Sequence, residues 1–291
     1  MAAGNSGIRT GELNLRKENI ERAVRGFALQ SYVFKNSLMV NKSTSWKETY
    51  YVETAADLTG GTNDAVKGIP RLANFPYGEV VWNKRTKTME KYGMEGVVSW
   101  EDAKTSEIDV VARTLLRIGR AVAKAVDAEI YSQVSTNAGG TVTIAAGEEW
   151  DSATIANRDP IQNILDAIKT ISIANYNPYQ GGELWLNPKD FANLLGNANI
   201  RNAGQFYTSD VTKNGKVGRL LGLSVKVSNN VTADEAIVLV AKECGTWKEA
   251  HPLSVETIID PGIKYTIRAW EVGVTQITNP DAICKISNTA A

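Results

Sequence analysis

One uninterrupted stretch, from Ser106 to about Val134, constrains this chain more than any other part of its sequence. It contains no proline and a single glycine, Gly119. Ser106 and Asp109 have the spacing of a helix-capping box at its start. The sequence therefore predicts one helix of about 28 residues, roughly twice the ordinary length, which must cross a whole domain.

The side chains of this helix separate into two opposite faces at a step of about 100° per residue. One face is apolar and predicts burial along the whole length; its residues are Ile108, Val111, Leu115, Ile118, Val122 and Val126. The other face carries a basic stripe, which consists of Arg113, Arg117, Arg120 and Lys124, with Asp109 and Asp127 flanking it. This basic stripe has two interpretations: a solvated face half-neutralised by neighbouring acids, or a non-specific contact surface for a phosphate backbone.

The rest of the chain mixes strand and helix signals. Residues 46–53 and 79–91 are strand candidates separated by about 25 turn-rich residues, which predicts an extended hairpin with a long loop. Asp159-Pro160 and Asn187-Pro188 each predict the start of a helix. Further strands are predicted at 183–186, 223–227, 236–241, 258–259, 264–278 and 282–287. The fold class is α+β, with the long helix crossing a strand-rich unit.

Composition limits the classes of function. The 291 residues carry 32 Lys and Arg against 32 Asp and Glu, which excludes nucleic-acid binding by overall charge. The first fifty residues are locally basic, with eight Lys or Arg against four Glu, and read as an arm that only a partner surface would order. Cys244 and Cys284 favour buried free thiols in a reducing cytoplasm over the alternative, a disulfide between them. No signal peptide or membrane span is predicted, since the longest apolar run is 236–241.

The sequence offers little raw material for catalysis. It has none of the common nucleotide-binding, metalloprotease or hydrolase motifs and no cluster of four metal ligands. Its single histidine, His251, leaves a cytoplasmic enzyme as a remote alternative only. We therefore predict no enzyme activity, no catalytic residue, no cofactor and no metal. Seven dispersed tryptophans suit core and interface anchors better than a base-stacking platform.

Three stretches, taken in order, resemble the major capsid protein of tailed phages, the Hong Kong 97 fold. Residues 80–84 and 96–102, leading into the helix that extends to Tyr131, are similar to the second strand of the family's extended loop and its spine helix. Residues 184–191, Leu-Trp-Leu-Asn-Pro-Lys-Asp-Phe, are similar to the strand–Asn–Pro–helix junction of the axial domain. Residues 221–227, then 236–247 and the C-terminal strands, are similar to the exit into the peripheral domain.

The resemblance implies a Hong Kong 97-like capsid fold with interleaved domains. It places an N-terminal arm at 1–45 and an extended β-hairpin loop at 46–92. The first part of a peripheral domain follows at 93–149, with the spine helix at about 106–134. A mixed axial domain occupies 150–247, and the second part of the peripheral domain occupies 248–291.

The function that the resemblance implies is a structural shell subunit, located in the virion capsid and in the host cytoplasm during assembly. Its first partner is itself, as pentamers and hexamers of an icosahedral shell around double-stranded DNA, which it contacts without sequence specificity. A portal and an optional decoration protein are further partners, and no membrane is involved. In this interpretation Arg113, Arg117, Arg120 and Lys124 face the DNA in the lumen. The alternative is an encapsulin-type compartment shell that encloses a cargo enzyme.

Two departures from the family pattern matter. Some members join subunits by an isopeptide bond between a loop lysine and an asparagine of the peripheral domain. Lys67 would be the loop lysine here, but the matching stretch 261–264, Pro-Gly-Ile-Lys, contains no asparagine, so we predict no cross-link. Some members also carry a large cleavable scaffold segment, whereas this chain starts at Met1 with a short arm. We therefore expect scaffolding to be a separate protein.

Overall fold

The structure, a computed structural model, describes residues 22, 24, 32–53, 59–60, 69–75, 78–79, 82–105, 110–174, 176–197, 200 and 219–290. We number the elements within these residues in chain order. The helices are α1 (Trp100–Thr105), α2 (Val110–Thr136), α3 (Pro160–Ile173) and α4 (Pro188–Gly196). The first strands are β1 (Met39–Lys42), β2 (Lys47–Glu53), β3 (Thr59–Gly60), β4 (Gly78–Glu79), β5 (Trp82–Thr88), β6 (Glu90–Ser99) and β7 (Gly140–Thr143). The later strands are β8 (Gly182–Leu186), β9 (Arg219–Leu220), β10 (Leu223–Val227), β11 (Glu235–Val240), β12 (Gly245–Asp260), β13 (Lys264–Ile277) and β14 (Ile283–Ser287).

The long helix is confirmed as α2, which ends at Thr136. The predicted cap at Ser106 and Asp109 lies outside the described residues, and a separate six-residue helix, α1, precedes it. Four of the predicted apolar positions are buried: Leu115, Ile118, Val122 and Val126. The apolar stripe therefore faces the core, as its helical spacing predicts.

A four-stranded sheet in the order β1-β12-β13-β6 supports α2. The strands β12, β13 and β6 are antiparallel neighbours, whereas β1 adds to the edge in parallel. At the contact with α2, a Cβ on Gly96 of β6 would lie 2.6 Å from the side chains of Ile118 and Thr114. A glycine is required there because the strand backbone approaches the helix closely.

A six-stranded sheet in the order β7-β14-β11-β8-β10-β9 forms the second layer. Its central strands β8 and β11 are almost completely buried, as the apolar runs predict. The helix α3 packs on β14 and β7 and begins at the predicted cap, since Asp159 accepts a hydrogen bond from the Gln162 amide at 3.1 Å. The helix α4 begins with Asn187, which accepts from the Lys189 amide at 2.9 Å. Both Asx–Pro starts are therefore confirmed.

The division into a peripheral and an axial domain stays a prediction. Two strands that it assigns to the peripheral domain belong to a sheet whose other strands it assigns to the axial domain. The sequence places β7 and β14 in the peripheral domain. Their hydrogen bonds instead place them in the sheet of β8, β10 and β11. The physical reason is that β14 pairs with β11 along five residues and so completes the buried sheet.

The extended hairpin is confirmed at its base. Strands β2 and β5 pair antiparallel over seven residues, from Lys47 with Thr88 to Glu53 with Trp82. The second strand of the hairpin is shorter than predicted, because the strand is interrupted at Met89 and the chain then enters the four-stranded sheet as β6. The candidate cross-link lysine, Lys67, lies outside the described residues.

The core contains the largest side chains that the sequence analysis assigned to it. Trp150, Trp185 and Trp247 are fully buried. Cys244 and Cys284 are buried free thiols, which confirms the prediction for them. Burial raises the pKa of the Cys244 thiol to about 12 and that of Cys284 to about 11, so both stay protonated.

Candidate functional site

The basic stripe is exposed along α2. Arg113, Arg117, Arg120 and Lys124 all lie on the solvent side, opposite the buried stripe. Among the described residues, none of the four forms an ion pair with a carboxylate. The predicted partner of Arg113, Asp109, lies outside the described residues. Within the described residues, the stripe is therefore a row of exposed cations that form no ion pair.

Asp127 lies at the end of the basic stripe, where it lines a pocket together with Arg120 and Lys124, but it is only 2% exposed. Its carboxylate accepts hydrogen bonds from three successive backbone amides: Val33 at 2.6 Å, and Phe34 and Lys35 at 3.1 Å each. Burial raises the pKa of Asp127, and the three amides oppose that rise. Asp127 is buried because it lies one turn past Lys124 on the helix and there faces a segment that comes from 93 residues earlier in the chain.

This segment of the arm is anchored on the chain itself. Lys35 forms ion pairs with Glu249, at 3.1 Å, and with Glu271. The Tyr32 hydroxyl donates to the same Glu271, which is completely buried. Burial, and then the Glu271 carboxylate, raises the pKa of Tyr32 above its ordinary value. We call Tyr32, Lys35, Asp127, Glu249 and Glu271 the arm anchor.

Apolar packing completes this attachment. The Phe34 ring stacks on Trp185 of β8 with centroids 4.1 Å apart. Five residues later, β1 begins and adds to β12 in parallel. The expectation that the arm needs a partner surface is therefore wrong for residues 32–42; for the arm before Tyr32, only Arg22 and Val24 are described, both helical, with Val24 fully buried.

The hairpin of β2 and β5 has two different faces. Tyr50 and Val52 point to the core and are buried, whereas Tyr51 is 55% exposed. On the same outward face, Trp82 is 49% exposed, and Lys84 pairs with Tyr51 across the two strands. We call Tyr51, Trp82 and Lys84 the outward hairpin face.

Two long side chains fix the base of the hairpin to the end of α2. Arg85 donates to the Asn137 side-chain oxygen at 2.6 Å. The Lys87 ammonium donates to the Gln133 side chain and, at 3.0 Å, to the Thr275 carbonyl. The hairpin therefore leaves the body in a fixed direction while its outward aromatic side chains stay uncovered.

The family of the chain follows from a sequence model. The model described as phage capsid protein matches residues 83–286, which is well over half of the chain. The chain belongs to the phage capsid protein family. It is a phage major capsid protein, with the shell as its structural role and the virion capsid as its location.

Solved structures agree on the fold of this capsid protein. The capsid of the cyanophage P-SCSP1u is 12% identical, with a TM-score of 0.65 over 88% of this chain and 88% of the other. The structure titled Mycobacterium phage Che8 is 18% identical, with a TM-score of 0.65 over 89% and 92%. A virus-like particle from Pyrococcus furiosus is 14% identical, with a TM-score of 0.63 over 93% and 98%. No curated protein matches the sequence. At these identities the matches show the fold alone, and that fold is the Hong Kong 97 type.

The encapsulin alternative is not better supported than the phage capsid. The virus-like particle matches no more closely than the two phage structures, and the family model is that of a phage capsid protein. No helix in the described part of this capsid protein is both long and apolar enough to cross a bilayer.

The single histidine of the capsid protein, His251, contacts two neighbouring residues through its ring. His251 is exposed, its ring stacks on Trp270, and its Nδ1 lies 2.8 Å from the Pro252 carbonyl. A neutral ring must carry its proton on the Nδ1 that faces this carbonyl. That same Nδ1 is the atom 3.4 Å from the Ser254 hydroxyl, so the pair has no free base to activate the serine. The described residues hold no group of three or more potential metal ligands. The family likewise suggests a non-enzymatic role.

Proposed function

We propose that this capsid protein assembles as pentamers and hexamers into a closed icosahedral shell around double-stranded DNA. The observation that carries the proposal is the outward hairpin face. A two-stranded sheet is marginal by itself, yet this one exposes two large aromatic side chains on a fixed base. Exposed apolar area of this kind is typical of an interface. In a capsid protein, the partner that fits is a second copy of the chain.

The partners other than the chain itself belong to the same proposal. The basic stripe faces the lumen and contacts packaged DNA through phosphates, without reading its sequence. The exposure of its cations supports this orientation. A separate scaffolding protein, a portal and an optional decoration protein complete the assembly, which takes place in the host cytoplasm.

The test of assembly is expression of the full chain alone, followed by sizing and electron microscopy. We expect uniform particles of megadalton size with fivefold and sixfold capsomers. A chain that stays monomeric at all concentrations, also with a scaffolding protein supplied, would overturn the proposal.

Removal of the aromatic rings from the outward hairpin face is expected to block assembly. In the variant Tyr51→Ser/Trp82→Ser, each lost interface anchor costs about 1–2 kcal/mol per contact, so the critical concentration for assembly rises by a factor of about ten or more. Sizing across a concentration series measures this. The matched control, Tyr51→Phe/Trp82→Phe, keeps the apolar rings and is expected to assemble. Equal assembly of the two variants would contradict the role of this face.

The shell is expected to contain no covalent links between subunits. Residues 261–263 form the turn between β12 and β13, and the stretch 261–264 provides no asparagine for an isopeptide bond. Intact shells boiled in detergent should migrate as single chains on a denaturing gel. A ladder of covalent multimers would show that another residue pair forms the link.

A further inference from the structure

We propose that a polar pocket beside α2 binds one phosphate group of a nucleic-acid backbone. The pocket has a volume of about 350 Å³ and lies between α2 and the loop that follows β10. Its polar lining consists of Arg120, Lys124, Asp127, Ser228, Asn229 and Asn230. The proposal rests on the proposed function, in which the basic stripe faces DNA, and deepens it by distinguishing one half of the stripe from the other.

The loop side of the pocket is held in place without a ligand. The Asn230 side chain donates to the Lys124 carbonyl at 3.1 Å and so ties the loop to the helix. The Asn230 amide donates to the Ser228 hydroxyl at 3.2 Å, and the Val231 amide donates to the Ser228 carbonyl at 3.2 Å. A ligand therefore meets a preformed turn and does not have to order one.

The charge of the pocket selects an anion. Arg120 and Lys124 lie one helical turn apart and are both exposed. The one acid, Asp127, is buried and turns both of its oxygens to the amides of Val33, Phe34 and Lys35. A cation would compete with those amides, whereas an anion meets a guanidinium fork and an ammonium group.

The chemistry of the lining fits a phosphate group. Arginine, lysine, serine and asparagine are the side chains that supply most phosphate contacts in complexes with nucleic acids. Asn229 is exposed on the rim and has its amide available to a ligand. The other two cations of the stripe, Arg113 and Arg117, do not line this pocket. Directional hydrogen bonds are therefore available at one end of the stripe and bulk charge at the other.

The experiment compares two variants that remove the same charge from the same helix face. The full chain is titrated with a short fluorescent DNA duplex at several salt concentrations. Arg120→Gln/Lys124→Gln should weaken binding at least tenfold and lower the salt slope by about two. Arg113→Gln/Arg117→Gln should lower the slope similarly but weaken binding much less, because it removes no directional contact. Equal weakening by both pairs would refute the pocket while leaving the DNA-facing stripe intact, and no weakening by either pair would refute both.

A neutral substitution separates hydrogen bonding from charge. Asn229→Ala should weaken DNA binding about fivefold at unchanged charge, as expected for one lost hydrogen bond. Its control is Thr136→Ala, which removes an exposed polar side chain from the far end of the same helix and should change nothing. An Asn229→Ala affinity equal to that of the unmodified chain would overturn the proposal.

Competition identifies the source of the phosphate. Inorganic phosphate and pyrophosphate are each added to the complex at constant ionic strength. Failure of either anion to displace the DNA supports a site built for a backbone phosphate. Displacement by micromolar pyrophosphate would overturn that assignment and indicate a site for a free polyphosphate.

Discussion

Replacement of Asp127 by alanine is expected to destabilise the protein by about 3 kcal/mol or more. The alanine leaves three amides, the buried one of Phe34 and the part-buried ones of Val33 and Lys35, without an acceptor. Each unsatisfied buried donor costs about 1–3 kcal/mol. Urea unfolding of the full chain measures the loss, and hydrogen exchange at the three amides should accelerate together.

Two control variants show whether the loss of stability comes from the hydrogen bonds of the Asp127 carboxylate. Asp127→Asn keeps the size of the side chain but turns an NH2 group toward at least one amide, so its cost should be intermediate. Glu148→Ala removes an exposed carboxylate and should change the free energy of unfolding by less than about 0.5 kcal/mol. If Asp127→Ala matched Glu148→Ala, the arm would not depend on this carboxylate.

Local patterns were sufficient to predict α2 and the starts of α3 and α4. Leu115, Ile118, Val122 and Val126 repeat at helical spacing, and a long apolar stripe has one favourable solution: burial against a sheet. Asp159 and Asn187 stand directly before prolines, and such caps act within three residues. These signals predict the helices correctly because the residues that determine each helix lie within the helix or directly before it.

The arm anchor could not be predicted, because its energy comes from contacts between distant parts of the chain. Asp127 meets Phe34 across 93 residues, and Lys35 meets Glu271 across 236. In the sequence, Asp127 reads as one more charge beside a basic stripe. Only the fold shows that its carboxylate is buried against the arm and accepts from three backbone amides.

The strand β12 illustrates a second limit of prediction from the sequence. Its sixteen residues include Pro252, which has no amide hydrogen to donate to the neighbouring strand. The local sequence pattern therefore predicts a strand only at the C-terminal end of β12. The structure accommodates the proline with register shifts between Glu249 and His251 and between His251 and Ser254. A strand with two irregularities persists because thirteen residue pairs with β13 hold it on either side.

Replacement of Lys35 by methionine is expected to destabilise the protein by about 3–5 kcal/mol. The lysine is the cation between two carboxylates, the fully buried Glu271 and the nearly buried Glu249. Its removal leaves the buried negative charge of Glu271 without this cation, and the desolvation cost of that charge is no longer offset by the ion pair. Urea unfolding measures the effect.

A matched substitution at the surface isolates burial as the cause. Lys264 forms an exposed ion pair with Asp260 at 3.8 Å, with both side chains nearly half exposed. Lys264→Met should cost less than about 0.5 kcal/mol, since surface ion pairs contribute little. The same chemical change should therefore differ in effect severalfold between the two sites.

The triple variant Tyr32→Phe/Lys35→Met/Glu271→Leu decides what the arm anchor contributes. It removes the buried charge together with both of its partners, so no group is left unsatisfied except Glu249, which keeps some contact with water. Replacement of a buried ion pair by apolar side chains is often neutral or stabilising, so most of the stability lost in Lys35→Met should return. A triple variant as unstable as Lys35→Met would mean that the lysine stabilises mainly through cation–π contacts of its ammonium, which lies 4.9 and 5.5 Å from the ring centroids of Tyr32 and Trp247. Recovery of stability with slower shell assembly would instead show that the polar network sets the geometry of the arm more than its strength.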